Sequence, residues 1–237
     1  MNSTAPKETK FYYMTPVQKR IGFALLMVHM FLIPILFLAY AVAVDGEAVD
    51  SLNVEFRHYA ISFVLIVLTM RGYMRREFDG LLDRPIGSVV TLIMSFLAFM
   101  TLLYIVSFAI IAIVGDMDAD AAETVLDITK VNFEVLFIFR VLVLPVVEEV
   151  LYRGVVFCRL VEHRRIVIYA VSILLYIVGN TWTAFVFNFD IRLFVLALQY
   201  VPTGFVCAYC YDRSGNLWTS IIFHMLANAL LILAQVW

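Results

Sequence analysis

The sequence predicts an all-α polytopic membrane protein of about seven transmembrane helices. Three observations predict it. The 237 residues are 63% hydrophobic, against about 45–50% for a soluble domain. Apolar runs near the 20 residues needed to cross a bilayer recur along the whole chain. The polar loops between them alternate in charge type. Strand-type alternation is missing, which argues against an outer-membrane barrel. The net charge of −2 supplies no bulk attraction to nucleic acid.

Residues 1–19 read as a polar cytoplasmic leader retained in the protein. They lack the short basic start and small-residue cleavage site of a secretory signal. The spans follow at 20–44, 57–73, 86–114, 131–158, 165–189, 191–211 and 216–236. Splitting one of the two longest spans would give an eighth. Pro145 is expected to bend the fourth, because it removes a backbone donor and crowds the carbonyl four residues earlier. The chain divides into the leader, N-terminal transmembrane helices over 20–130 and a core over 131–237.

Loop charges set the orientation. Lys7, Lys10, Lys19 and Arg20 precede the first span, Arg71, Arg75, Arg76 and Arg84 fall in loop 71–85, and Arg159, Arg164 and Arg165 in loop 159–165. Loops 45–56 and 115–130 are acidic, the first through Asp45, Glu47, Asp50 and Glu55. By the positive-inside rule the N-terminus is expected in the cytoplasm and the C-terminus outside. The size and the lack of soluble domains point to a bacterial plasma membrane.

Within this apolar background, PVVEEVLYRG sets Glu148, Glu149 and Arg153 in a span. Charges there are costly and mark function. Two later spans carry Tyr176 with Asn180, and His224 with Asn228. Each pair is spaced i,i+4, as are Glu149 and Arg153, so each shares one helix face. Counting 1.5 Å per residue from the arginine-bearing ends, Glu148 and Tyr176 both lie roughly 16 Å deep, and His224 roughly 13 Å. Three helices therefore bring polar faces to one level. A carboxylate near an imidazole, shielded from bulk water, can hold and deprotonate a water molecule, and His224 with Asn228 can donate hydrogen bonds to an oxyanion. One histidine with one or two glutamates is too thin for zinc, which usually takes three protein ligands. No metal or other cofactor is expected.

The bland readings are packing and helix pairing. Cys207 and Cys210, as CAYC in an apolar run, read as small packing residues. Arg140 and Glu134 read as snorkelling or locally paired. Gly179 and Gly204 read as points of close helix approach. Trp218 and Trp237 suit the membrane interface. The run DMDADAAE reads as a solvated loop. An ion or proton transporter is disfavoured because no inverted repeat is visible.

EEVLYR, with Glu148, Glu149 and Arg153, resembles the E-E-x-x-x-R motif of the CAAX protease and bacteriocin-processing (CPBP, or Abi) intramembrane proteases. The segment Tyr211 to Trp218, followed by His224 and Asn228, resembles that family's last motif. The likeness runs over about 140–232. It implies a helical membrane fold with the site open to the cytoplasmic side. It also implies Glu148 as the water-activating residue, Glu149 and Arg153 as a structural pair, and His224 with Asn228 as the oxyanion pair. The word metalloprotease attaches to the family, but a glutamate mechanism fits these residues better. The family's second motif, F-x-x-x-H, is here YIVGN, with Tyr176 and Asn180. Asparagine can bond a water but cannot accept its proton. His29, His58 and His163 lie outside the motifs and are not expected to compensate. Two functions follow. One is an endopeptidase acting on a membrane-associated peptide or protein. The other is a pseudoprotease that scaffolds or regulates a partner membrane protein.

Overall fold

The structure is a computed structural model that describes residues 14–43, 51–114, 133–187 and 192–236. The leader up to residue 13, the acidic loop 115–130, the first part of loop 45–56 and Trp237 lie outside the described residues. Seven helical rods account for nearly all of the rest. α1 is built from Pro16–Met27, a π-helical turn Val28–Leu32 and Ile33–Ala43. α2 is Ser51–Asp83 and α3 is Pro85–Val114. α4 joins Phe133–Ile138, a π turn Phe139–Val143, Leu144–Glu148, a second π stretch Glu149–Val155 and Val156–Arg159. α5 is Arg165–Phe187. α6 joins Arg192–Leu196, a 3₁₀ turn Ala197–Tyr200 and Val201–Ser214. α7 is Leu217–Val236.

Among these, α1, α3, α5, α6 and α7 are long and apolar enough to cross a membrane. α2 and α4 carry the charges. The chain is an integral membrane protein of the all-α class.

Two expected loops are helical instead. Residues 51–56 already belong to α2, and the arginine loop 71–85 is mostly its last turns, because α2 runs for 33 residues to Asp83. The segment RGYMRREFDGLLD is rich in good helix formers, and it has a face to bury. Tyr73 and Glu77 are fully buried on that face. α1 begins earlier than its predicted span because Thr15 caps it. Thr15 Oγ1 accepts from the Gln18 amide, and Gln18 Oε1 accepts from the Thr15 amide, a reciprocal capping box with Pro16 at the first helical position.

α4 is the central rod. Val146 to Cys158 are buried without a break, so this helix is surrounded by protein on all sides. α3 is the opposite case. Ile86, Val90, Ile93, Leu97, Tyr104 and Phe108 are exposed, which gives it a lipid-facing side. Its other side buries Ser88, Thr91, Ser95 and Phe99, and Phe99 packs with Val206, Cys207, Cys210, Phe223 and Ala227 of α6 and α7. The small residues let backbones approach closely. The two cysteines thus serve packing, and both are free thiols.

The turn Ser214–Asn216 explains the R-S-G-N-L-W motif physically. Gly215 takes φ 67°, the left-handed conformation that closes α6, and its amide bonds Tyr211 O at 2.9 Å. Asn216 then caps α7, its Oδ1 accepting from the Thr219 amide at 3.0 Å. α2 locks the hairpin. Glu77 Oε2 accepts from the Leu217 amide at 2.8 Å, Asn216 Nδ2 donates to Glu77 O, and Trp218 Nε1 donates to Met74 O at 2.8 Å.

Candidate active site

The adjacent glutamates of α4 are treated very differently. Glu149 is held by three donors. Arg153 Nη1 donates to its Oε1 at 2.9 Å, His224 Nδ1 lies 2.9 Å from the same oxygen, and Ser220 Oγ donates to Oε2 at 2.6 Å. A carboxylate can only accept, so Nδ1 of His224 carries the hydrogen and Nε2 faces away from Glu149. Arg153 is completely buried. Its Nη2 donates to Gly204 O at 3.0 Å, and its guanidinium stacks over Tyr176, 4.7 Å from the ring centroid. Gly204 lacks a Cβ where one would sit 3.2 Å from Tyr176 Cδ1, so the expected close approach of α6 to α5 is present.

Glu148 has one donor. Tyr59 of α2 donates to its Oε1 at 2.7 Å. Oε2 is buried and has no hydrogen-bond partner among the described residues. It faces His224 Nε2 at 3.6 Å, too long for a direct hydrogen bond. Glu148, Tyr176 and His224 are 0%, 4% and 1% exposed, so the constellation is closed to solvent in this conformation.

Tyr176 is in the cluster, its ring 6.2 Å from that of His224 and 5.6 Å from that of Tyr152. The two asparagines are not bonded to it. Asn180 Nδ2 donates to Tyr176 O on its own helix at 2.9 Å. Asn228 Nδ2 donates to Arg140 O at 2.9 Å. The reason for the second contact lies in α4. The π turn commits the Leu144 amide to Phe139 O, and Pro145, the next residue, has no N–H to offer. Arg140 O is left without a backbone donor, and Asn228 supplies one. The other amide hydrogen of Asn228 remains. Arg140 itself pairs with Glu55 at 2.7 Å, as a local pair rather than a snorkelling charge.

Four participants carry no motif. Ser220 binds Glu149 and Tyr59 binds Glu148. His29 and His58, read from sequence as remote, lie beside Tyr59 with ring centroids 5.1 Å from it. Their spacing gave no signal, because no motif marks the buried side of α1 and α2. Gly179 is a further close approach, since a Cβ there would run into the Tyr152 hydroxyl.

Glu149, Cys207 and His224 bring ligand-type atoms within 4.8 Å of one another. These residues do not fit a resident divalent ion. Both oxygens of Glu149 are already taken, and the Arg153 guanidinium occupies the approach to Oε1. A dication would have to displace a buried cation.

A buried carboxylate pair and guanidinium on α4, with an imidazole from α7, define the class: a helical membrane protein with a buried polar site. The comparison with known families narrows it. Residues 130–230 match the family described as type II CAAX prenyl endopeptidase Rce1-like. The match is consistent with a CPBP-type membrane protease. Comparison with curated proteins gives no match, and neither does comparison with solved structures.

Proposed function

We propose that the protein is a Glu148-dependent intramembrane endopeptidase. One observation carries this reading: Glu148 Oε2 is buried and unpartnered, 3.6 Å from His224 Nε2. A water held between these two atoms gives up a proton to Glu148 as its oxygen attacks the peptide carbonyl carbon. The imidazole of His224, held through Nδ1 by Glu149, turns Nε2 toward the oxyanion and stabilises it. The remaining amide hydrogen of Asn228 is a second donor. Glu148 then returns the proton to the leaving amine as the C–N bond breaks, and the carboxylate is restored. Arg153 keeps Glu149 fixed and takes no part in proton transfer. Tyr176 lines the cavity against the imidazole.

The substrate is a peptide or protein segment at the cytoplasmic side of a bacterial plasma membrane, an orientation supported by the arginine-rich segments 71–84 and 159–165. The second reading is a pseudoprotease that binds a partner membrane protein. Asn180 favours it, because a residue unable to take a proton stands at the second motif and its amide is spent on Tyr176 O.

The test is a comparison of membrane-protein termini in host cells with wild type, Glu148→Ala or no protein, read by mass spectrometry. New termini made by wild type alone support proteolysis and identify the substrate. Identical termini in all three, with partner complexes changed only in the deletion, support the scaffold.

A further inference from the structure

We propose that Tyr59 is the positioning residue for Glu148, supplying from α2 the hold that the second-motif histidine would otherwise give. The inference rests on the reading of Glu148 as the water-activating base. Tyr59 lies outside the region 130–230 that matches the family.

A base that must take a proton from one water needs a defined orientation. Among the described residues, only Oε1 of the two Glu148 oxygens has a donor, and that donor is the Tyr59 hydroxyl at 2.7 Å. The bond fixes the carboxylate plane and turns Oε2 toward His224 Nε2. Asn180, at the second-motif position, does not bond Glu148; its side-chain amide donates to Tyr176 O on its own helix.

Tyr59 is itself held by a built support. Its ring is edge-on to His29 at 5.1 Å and to Phe139 at 5.9 Å. His29 is 3% exposed. Its Nδ1 lies 2.9 Å from Ser62 Oγ, and its ring stacks on His58 at 4.4 Å. His58 Nε2 in turn donates to His29 O at 2.8 Å. That carbonyl lies in the π turn of α1, where the widened helix leaves carbonyls available. Two polar contacts and two ring contacts thus tie α1 to α2, and a third ring contact, to Phe139 of α4, helps set the Tyr59 ring. A packing tyrosine alone would need none of them. The arrangement fits a precise demand on where one hydroxyl points.

The experiment uses Tyr59→Phe, which removes one hydroxyl and keeps the ring. Full-length wild type, Tyr59→Phe and Glu148→Gln are compared in host membranes for Glu148-dependent termini. The purified proteins are compared by infrared difference spectroscopy, with the Glu148 carboxyl band identified by its loss in Glu148→Gln. Tyr59→Phe is expected to accumulate like wild type, to make about tenfold fewer of those termini, and to move the Glu148 band. Wild-type yield of termini, or an unmoved band, overturns the proposal. If wild type makes no termini that Glu148→Gln lacks, the endopeptidase reading fails on its own, and the catalytic role proposed for Tyr59 fails with it. The band then decides only whether the hydrogen bond itself stands.

Discussion

The Glu149–Arg153 pair offers the sharpest quantitative test. Both side chains are completely buried and 2.9 Å apart. Arg153→Met keeps much of the volume and removes the cation. Glu149 is left with His224 and Ser220 as donors, and Gly204 O loses its only side-chain donor. Breaking a buried pair from one side costs about 3–5 kcal/mol, because a charge is stranded. For a chain of this size each kcal/mol moves the unfolding midpoint by about 2–4 °C, so Arg153→Met should lower it by about 6–20 °C in detergent micelles. Adding Glu149→Gln to Arg153→Met removes the stranded charge and should recover part of the loss. Arg153→Lys should fall between, since one ammonium cannot reach Glu149 and Gly204 O with the geometry of a planar fork. A midpoint within about 2 °C of wild type for Arg153→Met, or a double variant no better than the single, would refute the reasoning.

Four further outcomes are expected. Gly179→Ala should destabilise by about 1–3 kcal/mol in thermal unfolding and more than Gly204→Ala, because its Cβ meets the Tyr152 hydroxyl while that of Gly204 only touches a Tyr176 ring carbon. Asn228→Leu should cost about 1–3 kcal/mol even in protein that never cleaves anything, by orphaning Arg140 O. Burial pushes the Glu77 carboxyl, which lies beyond the apolar part of α2, up to about 7. The folded state therefore binds this proton more tightly than the unfolded chain, so the contribution is full below about 4.5 and is lost as pH rises toward 7. Unfolding midpoints measured between these pH values should fall more steeply for wild type than for Glu77→Gln. Asn180→His should raise Glu148-dependent proteolysis in purified protein, and an unchanged or lower rate would count against aligning YIVGN with the second motif.

The three polar pairs were legible because a membrane span makes every ionisable residue conspicuous. Glu148, Glu149, Arg153, Tyr176 and His224 meet where equal depths on three helices predicted. Helical spacing assigns a face, however, and not a hydrogen-bond partner. Asn228 shares the His224 face, yet its amide goes to Arg140 O, because a π turn and Pro145 together free a carbonyl that an ideal helix would have satisfied. Asn180 likewise shares the Tyr176 face and bonds its own helix. Tyr59, His29 and Ser62 were not legible at all. Tyrosine and serine are ordinary in membrane helices, and only the packing of α1 and α2 on α4 tells which of them are aimed inward. The buried length of α2 was hidden for the opposite reason. Its arginines read as a loop, whereas they are the exposed side of a helix whose other side carries Tyr73 and Glu77.

Two neighbouring carboxylates with opposite surroundings explain why this apolar chain keeps its charges. Glu149 accepts from a guanidinium, an imidazole and a hydroxyl, and hydrogen bonds to the charged form make it a weaker base. Glu148 accepts from one phenol and keeps one oxygen free, which is what a base needs. A pair retained only for packing would have no reason for this asymmetry, since an orphaned buried oxygen costs about 1–3 kcal/mol. That cost falls on the one carboxylate oxygen of α4 that is buried without a partner among the described residues. On the proposed endopeptidase reading, the same closure means that a peptide enters only when helices around α4 separate. Gly179 and Gly204, where α5 comes closest to α4 and α6, mark the contacts such an opening must break.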